Sequence, residues 1–545
     1  MQTQLPISDI LPHIVQSLRL GNELVLQASP GAGKTSIVPL ALAESDVLAG
    51  QKIIMLEPRR MAARSAAERM AYLLQEPVGQ SVGYRVRGES KVSRHTVIEV
   101  VTEGVFLRQL LADPSLEGVG LVIFDEFHEG SPQSDLALAM LLHGREVYRE
   151  PDIPLKVLVM SATLQKDALR NMLSDAPCLE CSAHVFPVDI VYGQDSPKLD
   201  TAVVASTVSD ALSKHTGNVL VFLPGRKEIQ RVYNALVGQH GSSVMVLPMH
   251  GGLNLEEQAK AIQAPPQGRR KVVLATNIAE TSLTIEGVEV VVDSGWERVA
   301  VYDQNTGITR LATKRIAKDS AEQRKGRAGR VSAGHCYRLW SAYTQHGLAD
   351  NHKAQILNTD LTTLCLQMID WGVDSTQQLQ WLDEPPQRLF DSAVNNLLAM
   401  QAIERATSDA LQCTSHGSAI LSLPIEPVLA HMLLWAVEQG AGKQACDIAA
   451  LVSQPHLPWV DIADGIQQLG RKDFAAVRQL SKRLVNQVQG LGLDAGEELL
   501  PAGVLLAQAF PSRIARCSNS AELIYKLANG RQAKLLNAAN LAKQD

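Results

Sequence analysis

Two hydrophobic rhythms divide the chain. Between about residue 20 and residue 345, short β-branched runs (24–27, 52–56, 121–124, 157–160) each precede a helix-like segment. That alternation predicts stacked βαβ units around a parallel sheet. The pattern restarts after about residue 187, with runs at 218–223, 244–247, 271–275 and 289–292. Two α/β domains in tandem are expected, meeting near Phe186-Pro187-Val188. Ahead of the first strand, Ile7, Ile10, Leu11, Ile14, Val15 and Leu18 keep helical spacing, which predicts a helix capped by Ser8 or Asp9. Beyond about 345, Leu/Ala/Gln-rich helical patterns take over, as in Asp360–Trp371 and Ala393–Arg405, with a break near Thr407–Gly417. Two helical modules fit that stretch. The last forty residues hold two or three short candidate strands. No repeat at solenoid period is present.

Composition narrows the class. The 545 residues are 46% hydrophobic and 20% charged, enough to bury several cores and to exclude wholesale disorder. A net charge of −6 excludes a histone-like polycation, so affinity for nucleic acid must be local. Residues 310–330 supply such a patch, with eight Lys/Arg against two Asp/Glu. Seven scattered cysteines do not make a disulfide framework and favour a reducing compartment. The pair in Cys178-Leu179-Glu180-Cys181 has no second pair at zinc spacing and is read as structural thiols. No apolar run reaches 18 residues, and residues 1–20 carry no export pattern; a cytoplasmic protein without a membrane span is expected.

The chemistry begins at Ala28-Ser29-Pro30-Gly31-Ala32-Gly33-Lys34-Thr35-Ser36, which follows a strand and opens a helix. Glycines let the backbone wrap a phosphate while helix N–H groups point at it. Lys34 would reach the β/γ-phosphates of ATP and Thr35 would ligate Mg²⁺. Taken alone the segment could be an ordinary strand–turn–helix corner. Its expected partner lies 91 residues on, where the apolar run at 122–124 ends in Asp125-Glu126. Asp125 would hold Mg²⁺, and Glu126 would assist at the metal and deprotonate the attacking water. By itself, a strand ending in two acids is more often a solvated turn.

Asp125-Glu126-Phe127-His128 resembles the DEAH box of superfamily-2 helicases. Other segments resemble that family's motifs in order: Glu57-Pro58-Arg59-Arg60-Met61-Ala62-Ala63, Thr102-Glu103-Gly104, Ser161-Ala162-Thr163, Val221-Phe222-Leu223-Pro224-Gly225, Ala275-Thr276-Asn277 through Thr284, and Gln323-Arg324-Lys325-Gly326-Arg327-Ala328-Gly329-Arg330. The resemblance covers essentially the whole chain. It implies two RecA-like domains (1–186 and 187–345), a winged-helix-like module (346–415), a ratchet-like helical bundle (416–505) and a partial OB-like segment (506–545). It also implies an ATP-dependent, 3′→5′ RNA helicase or translocase acting on single-stranded RNA, with DNA as an alternative. An NTPase that remodels without processive unwinding, or an ATP-gated RNA clamp, stays open, as does the oligomeric state.

The residue roles follow from the motifs. Arg327 and Arg330 would act as fingers on the γ-phosphate and Gln323 would orient phosphate or water; the bland alternative for the arginines is a solvated basic face. Ser161 and Thr163 would relay the nucleotide state. His128 would either bridge to Gln323 or sit as a satisfied core histidine. Candidates for the nucleic-acid track are Arg59, Arg60, Thr102, Gly225, Arg226, Thr276 and Asn277, with surface ion pairs the alternative for each arginine. A β-hairpin is expected over Val299–Ile316, turning at 303–307. Trp296 would stack on adenine opposite Arg69, or lie in the core.

The chain departs from the family pattern at several points. Ala28 replaces the usual first glycine, Gly130 an arginine, Val428 an arginine, and Ala354-Gln355 a Pro-Glu pair. The family pattern also continues past residue 545, so poor order is expected in the last forty residues.

Overall fold

The structure, a computed structural model, describes residues 5–535 except 30, 151, 163–168, 170, 175, 182–185, 254, 281–284, 304–306, 331, 455–460 and 521. It divides into two compact units. One comprises 1–301, 309–359 and 380–384; the other comprises 302–308, 360–379 and 385–545.

The first unit is built on two sheets. The leading sheet contains β1 (Glu23–Ala28), β2 (Lys52–Glu57), β3 (Val82–Val86), β4 (Glu89–Lys91), β5 (Ile98–Thr102), β6 (Val119–Phe124), β7 (Lys156–Ser161) and β8 (Cys178–Cys181), in the order β4-β3-β5-β2-β6-β7-β1-β8. Only β4 runs antiparallel to its neighbour. Every residue of β6 and β7 is buried, which is why these strands read as unbroken apolar runs. Leu24, Ile53, Val100, Ile123 and Leu158 share a core with Ala63, Ala67 and Met70 of the helix Arg60–Leu73. Each large aliphatic side chain buried there contributes roughly 1.5–3 kcal/mol. The register sets Gln27 beside Ser161 and Glu57 beside Thr102. The motifs therefore meet at the carboxyl ends of neighbouring strands, where open α/β sheets bind ligands.

The second sheet holds β9 (Val188–Tyr192), β10 (Asn218–Phe222), β11 (Val244–Met249), β12 (Arg270–Ala275), β13 (Val288–Asp293) and, after the hairpin β14 (Trp296–Asp303) and β15 (Ile308–Arg315), the strand β16 (Gly334–Arg338). Its order is β11-β12-β10-β13-β16-β9, all parallel. The hairpin starts three residues before the expected Val299, and part of its expected turn lies outside the described residues.

One local expectation needs correction. The first helix begins at Leu11, after a 3-10 turn at Pro6–Asp9, and neither Ser8 nor Asp9 caps it. Pro12 explains the start: it lacks an N–H and fits the first helical turn, where no intrahelical donor is needed. The Cys178–Cys181 segment is an edge strand against β1. Strands β3, β4, β5, β9 and β16 were not foreseen, because they are short or mix charged residues with apolar ones.

In the second unit, helices occupy Thr362–Asp370, Gln387–Ala399, Ser415–Ser422, Pro427–Glu438, Gly442–Val452, Ile462–Gln468, Ala475–Gly490 and Ala502–Ala509. The expected helix Ala393–Arg405 stops at Ala399. Ile403–Arg405 is instead β17, paired antiparallel with β18 (Leu411–Cys413), and this hairpin accounts for the expected break. The described part of the last forty residues contains ordered strands. β19 (Ala515–Asn519), β20 (Ile524–Leu527) and β21 (Gln532–Lys534) form an antiparallel sheet in which β20 is paired on both sides. Among the described residues no single helix is long and apolar enough to cross a membrane.

Candidate nucleotide site and the cleft between the sheets

The loop after β1 is shaped by its glycines. Gly33 has φ +97° and directly precedes the helix Lys34–Glu44. A Cβ there would press to 2.9 Å from Leu5 Cδ1. Inside the loop the Ala32 N–H donates to the Ser29 carbonyl at 3.1 Å, and the Ile7 N–H donates to the Ala32 carbonyl at 3.1 Å. Ala28 ends β1 as a buried residue, while Gly31 and Ser36 lie on either side of the turn. Pro30 lies outside the described residues.

Lys34, the first helical residue, is buried. Its Nζ lies 3.0 Å from Asp125 Oδ1 and 2.9 Å from Glu126 Oε1. Burial works against its charge, yet the two carboxylates hold its pKa above the usual lysine value. The Thr35 hydroxyl donates to Asp125 Oδ2 at 2.5 Å. Asp125 extends β6, its N–H donating to the Leu56 carbonyl at 3.1 Å. The chain then turns at Glu126, whose φ of +50° is strained for a residue with a side chain, at a cost of about 1–3 kcal/mol. Burial pushes the Glu126 carboxyl upward, but Lys34, His128 and Arg327 outweigh it and hold it at about 2. Glu126 is thus ionised, and its Oε2 has no hydrogen-bond partner among the described residues.

His128 receives the Ala162 N–H on Nδ1 at 3.4 Å. That places any proton of the neutral ring on Nε2. Burial lowers its pKa, and Nε2 makes no hydrogen bond among the described residues. The bridge to Gln323 is therefore not made, although both residues line the same cavity. Ser161 is buried at the end of β7 beside that cavity; Thr163 lies outside the described residues.

The second sheet brings Arg327 and Arg330 toward Glu126. Both guanidiniums are pushed below the usual arginine value by burial, Arg330 to about 10; Arg330 also depresses Arg327, while Glu126 works the other way on both. Arg327 is anchored through Nε and Nη2 to the Glu280 carbonyl, with the Nε bond at 2.8 Å. The solvated-face alternative therefore does not apply to Arg327, which is almost fully buried.

Some charged residues here were not picked out from the sequence as site residues. Glu57, at the end of β2, is buried, and burial and repulsion from Asp125 and Glu126 push its carboxyl well above the ordinary carboxylate value. Arg324, on the helix Lys318–Lys325, is buried 2.9 Å from Glu280 Oε2 and 3.0 Å from Asp293 Oδ1. Both sit inside the motifs at 57–63 and 323–330, next to residues with assigned roles, and that adjacency is the sequence signal for them.

The cavity between the two sheets measures about 1140 Å³. Of the nucleic-acid candidates, Arg59 and Asn277 line it. Arg59 donates to Glu129 Oε2 at 3.0 Å and to the Ile278 carbonyl at 3.3 Å, so it ties the two sheets together. Arg60 and Arg226 are exposed at the starts of their helices, Thr102 and Gly225 precede helices, and Thr276 precedes a 3-10 turn. Arg69 lies over Tyr72, and Arg315 covers one face of Trp296 at 4.1 Å. These are the contacts that the two expected adenine-stacking residues make.

Residues 9–172 match the family model described as DEAD/DEAH box helicase, and residues 202–332 match the helicase conserved C-terminal domain. The chain is 41% identical over 536 residues to the ATP-dependent RNA helicase HrpB of Escherichia coli (strain K12), covering 98% of this chain and 64% of that protein. A crystal structure of the E. coli DEAH/RHA helicase HrpB superposes with a TM-score of 0.89 at 40% identity, over 99% of this chain and 67% of the other. The chain belongs to the DEAD/DEAH box helicase family. A second HrpB structure, described as a DExH-box NTPase, gives a TM-score of 0.86 at 40% identity, over 99% of this chain and 65% of the other. The Schizosaccharomyces pombe pre-mRNA-splicing factor ATP-dependent RNA helicase prp22 is 31% identical over 99% of this chain and 48% of its own length. This chain thus spans 64% and 48% of the length of these two curated relatives.

Proposed function

We propose that this chain hydrolyses ATP and couples the hydrolysis to movement along single-stranded RNA in the 3′→5′ direction. The observation that carries this reading is the meeting of groups from both sheets at one carboxylate: Lys34 lies 2.9 Å from Glu126 Oε1, while Arg327 and Arg330 interact with Glu126 from the second sheet.

The phosphates of ATP would enter over the loop at 29–33, exchanging the carboxylate partners of Lys34 for phosphate oxygens. The Thr35 hydroxyl and the Asp125 carboxylate are hard oxygen donors already in contact, and Glu126 Oε2, which makes no hydrogen bond among the described residues, adds a third oxygen nearby. This set fits Mg²⁺. Bound there, Mg²⁺ would neutralise phosphate charge. Glu126, ionised at neutral pH, would accept the proton of the attacking water. Arg327 and Arg330 would meet charge developing on the transferred phosphoryl group, a contribution on the order of 10³–10⁵ in rate. Because these groups belong to different sheets, hydrolysis would depend on the sheets closing and so couple to motion.

The nucleic-acid side rests on the basic residues Arg298, Lys314, Arg315 and Lys353 of the same cavity, which can meet phosphates without reading bases. ATPase rate should rise with single-stranded RNA, and a strand-displacement assay should favour a 3′ overhang. Turnover indifferent to RNA would overturn the coupling. RNA-stimulated turnover without displacement from either overhang would favour remodelling.

A further inference from the structure

Asp135 opens the helix Pro132–Val147, and its side chain is buried rather than solvated, with 2% exposure. Its backbone N–H donates to the Ser131 carbonyl at 3.1 Å, but its Oδ1 has no hydrogen-bond partner among the described residues. A buried carboxylate oxygen without a donor is costly. The surroundings add negative charge. Glu103, held by the Ser131 hydroxyl at 2.5 Å, and Asp383 both repel it. Glu129 acts on Glu103 in the same sense; Arg59 opposes it but is already bonded to Glu129. Burial foremost, then these neighbours, push the Asp135 carboxyl up to about 7.

Asp135 lines the cavity between the sheets together with Gly130 and Asp383. Gly130, at φ +59°, has no side chain to fill the space, and a Cβ there would meet only the His128 carbonyl oxygen at 4.0 Å. The recess therefore combines room, an unpartnered buried acceptor and the neighbouring acids Glu103 and Asp383. It lacks the convergence a metal requires: among the described residues no group of three or more acidic, histidine or cysteine side chains could hold a metal ion. We propose that this recess binds an organic cation, a guanidinium or primary ammonium head group, with Asp135 as its principal acceptor. The cation would belong to a free polyamine or to a basic side chain of another protein.

Calorimetric titration at pH 8, at fixed ionic strength, tests this with two probes, methylguanidinium for the side-chain source and spermidine for the polyamine. Saturable binding of either probe, weakened at least tenfold in Asp135→Asn, is the expected result. The tighter probe then names the source. Equal affinity in wild type and Asp135→Asn overturns the site. A second variant guards against misfolding: Gly130→Arg supplies a guanidinium within the chain and should abolish probe binding, so wild-type affinity in that variant also overturns the proposal.

Discussion

Each sheet of the first unit carries a buried cation caught between two acids. In the leading sheet Lys34 sits between Asp125 and Glu126; in the second Arg324 sits between Glu280 and Asp293. The chemistry of the two knots differs. Lysine is a compact point charge that can exchange one anion for another, whereas the fork of Arg324 spans two fixed carboxylates at once. The Lys34 knot borders a glycine loop, and each knot includes one acid oxygen without a hydrogen bond among the described residues, Glu126 Oε2 in one and Asp293 Oδ2 in the other. The Arg324 knot is reinforced by the Ser320 hydroxyl on Glu280 and by the ring of Phe222 at 4.9 Å. One knot suits an exchangeable ligand, and the other holds the helix Lys318–Lys325 so that Arg327 and Arg330 face Glu126.

Substitutions can separate the two. The largest expected effect is Arg330→Ala, which should lower ATP turnover by a factor on the order of 10³–10⁵ in single-turnover assays. Unchanged turnover would remove Arg330 from the reaction. Glu126→Gln should lower turnover on the order of 10²–10⁴ while nucleotide affinity, read by fluorescence titration, holds. Arg324→Met should act on stability, costing about 3–5 kcal/mol in urea unfolding, since it leaves two buried acids without their cation. A loss of turnover with unchanged stability would mean that the second knot works directly in the reaction. A smaller effect concerns pH. Asp135 binds its proton more tightly in the folded chain than in the unfolded one, so its contribution to stability should decline as pH rises from about 4 to about 7. In Asp135→Asn that part of the decline should disappear from thermal melts.

The leading knot was legible in the sequence because its parts are adjacent in short motifs: Lys34 and Thr35 in one, Asp125 and Glu126 in another. The βαβ alternation also exposed most central strands, since β2, β6 and β7 are nearly all apolar. The second knot was harder to see. Glu280, Asp293 and Arg324 come from three separate segments, and only the parallel order of β12, β10 and β13 brings them near each other. His128 illustrates the same limit. Its bond to the Ala162 amide depends on how β7 ends relative to the turn after β6, which periodicity does not encode. Arg59 was read as a candidate for the nucleic-acid track or as an ion pair; its contacts to Glu129 and to the Ile278 carbonyl join segments far apart in sequence, which no motif encodes.

The hydrogen bond from Ile7 to the Ala32 carbonyl makes one backbone amide near the start of the chain a reporter for the phosphate loop. Its proton can exchange with solvent only when that carbonyl lets go. Slower deuterium uptake at Ile7 with nucleotide would record, from a residue that touches no phosphate, how firmly the loop has been set.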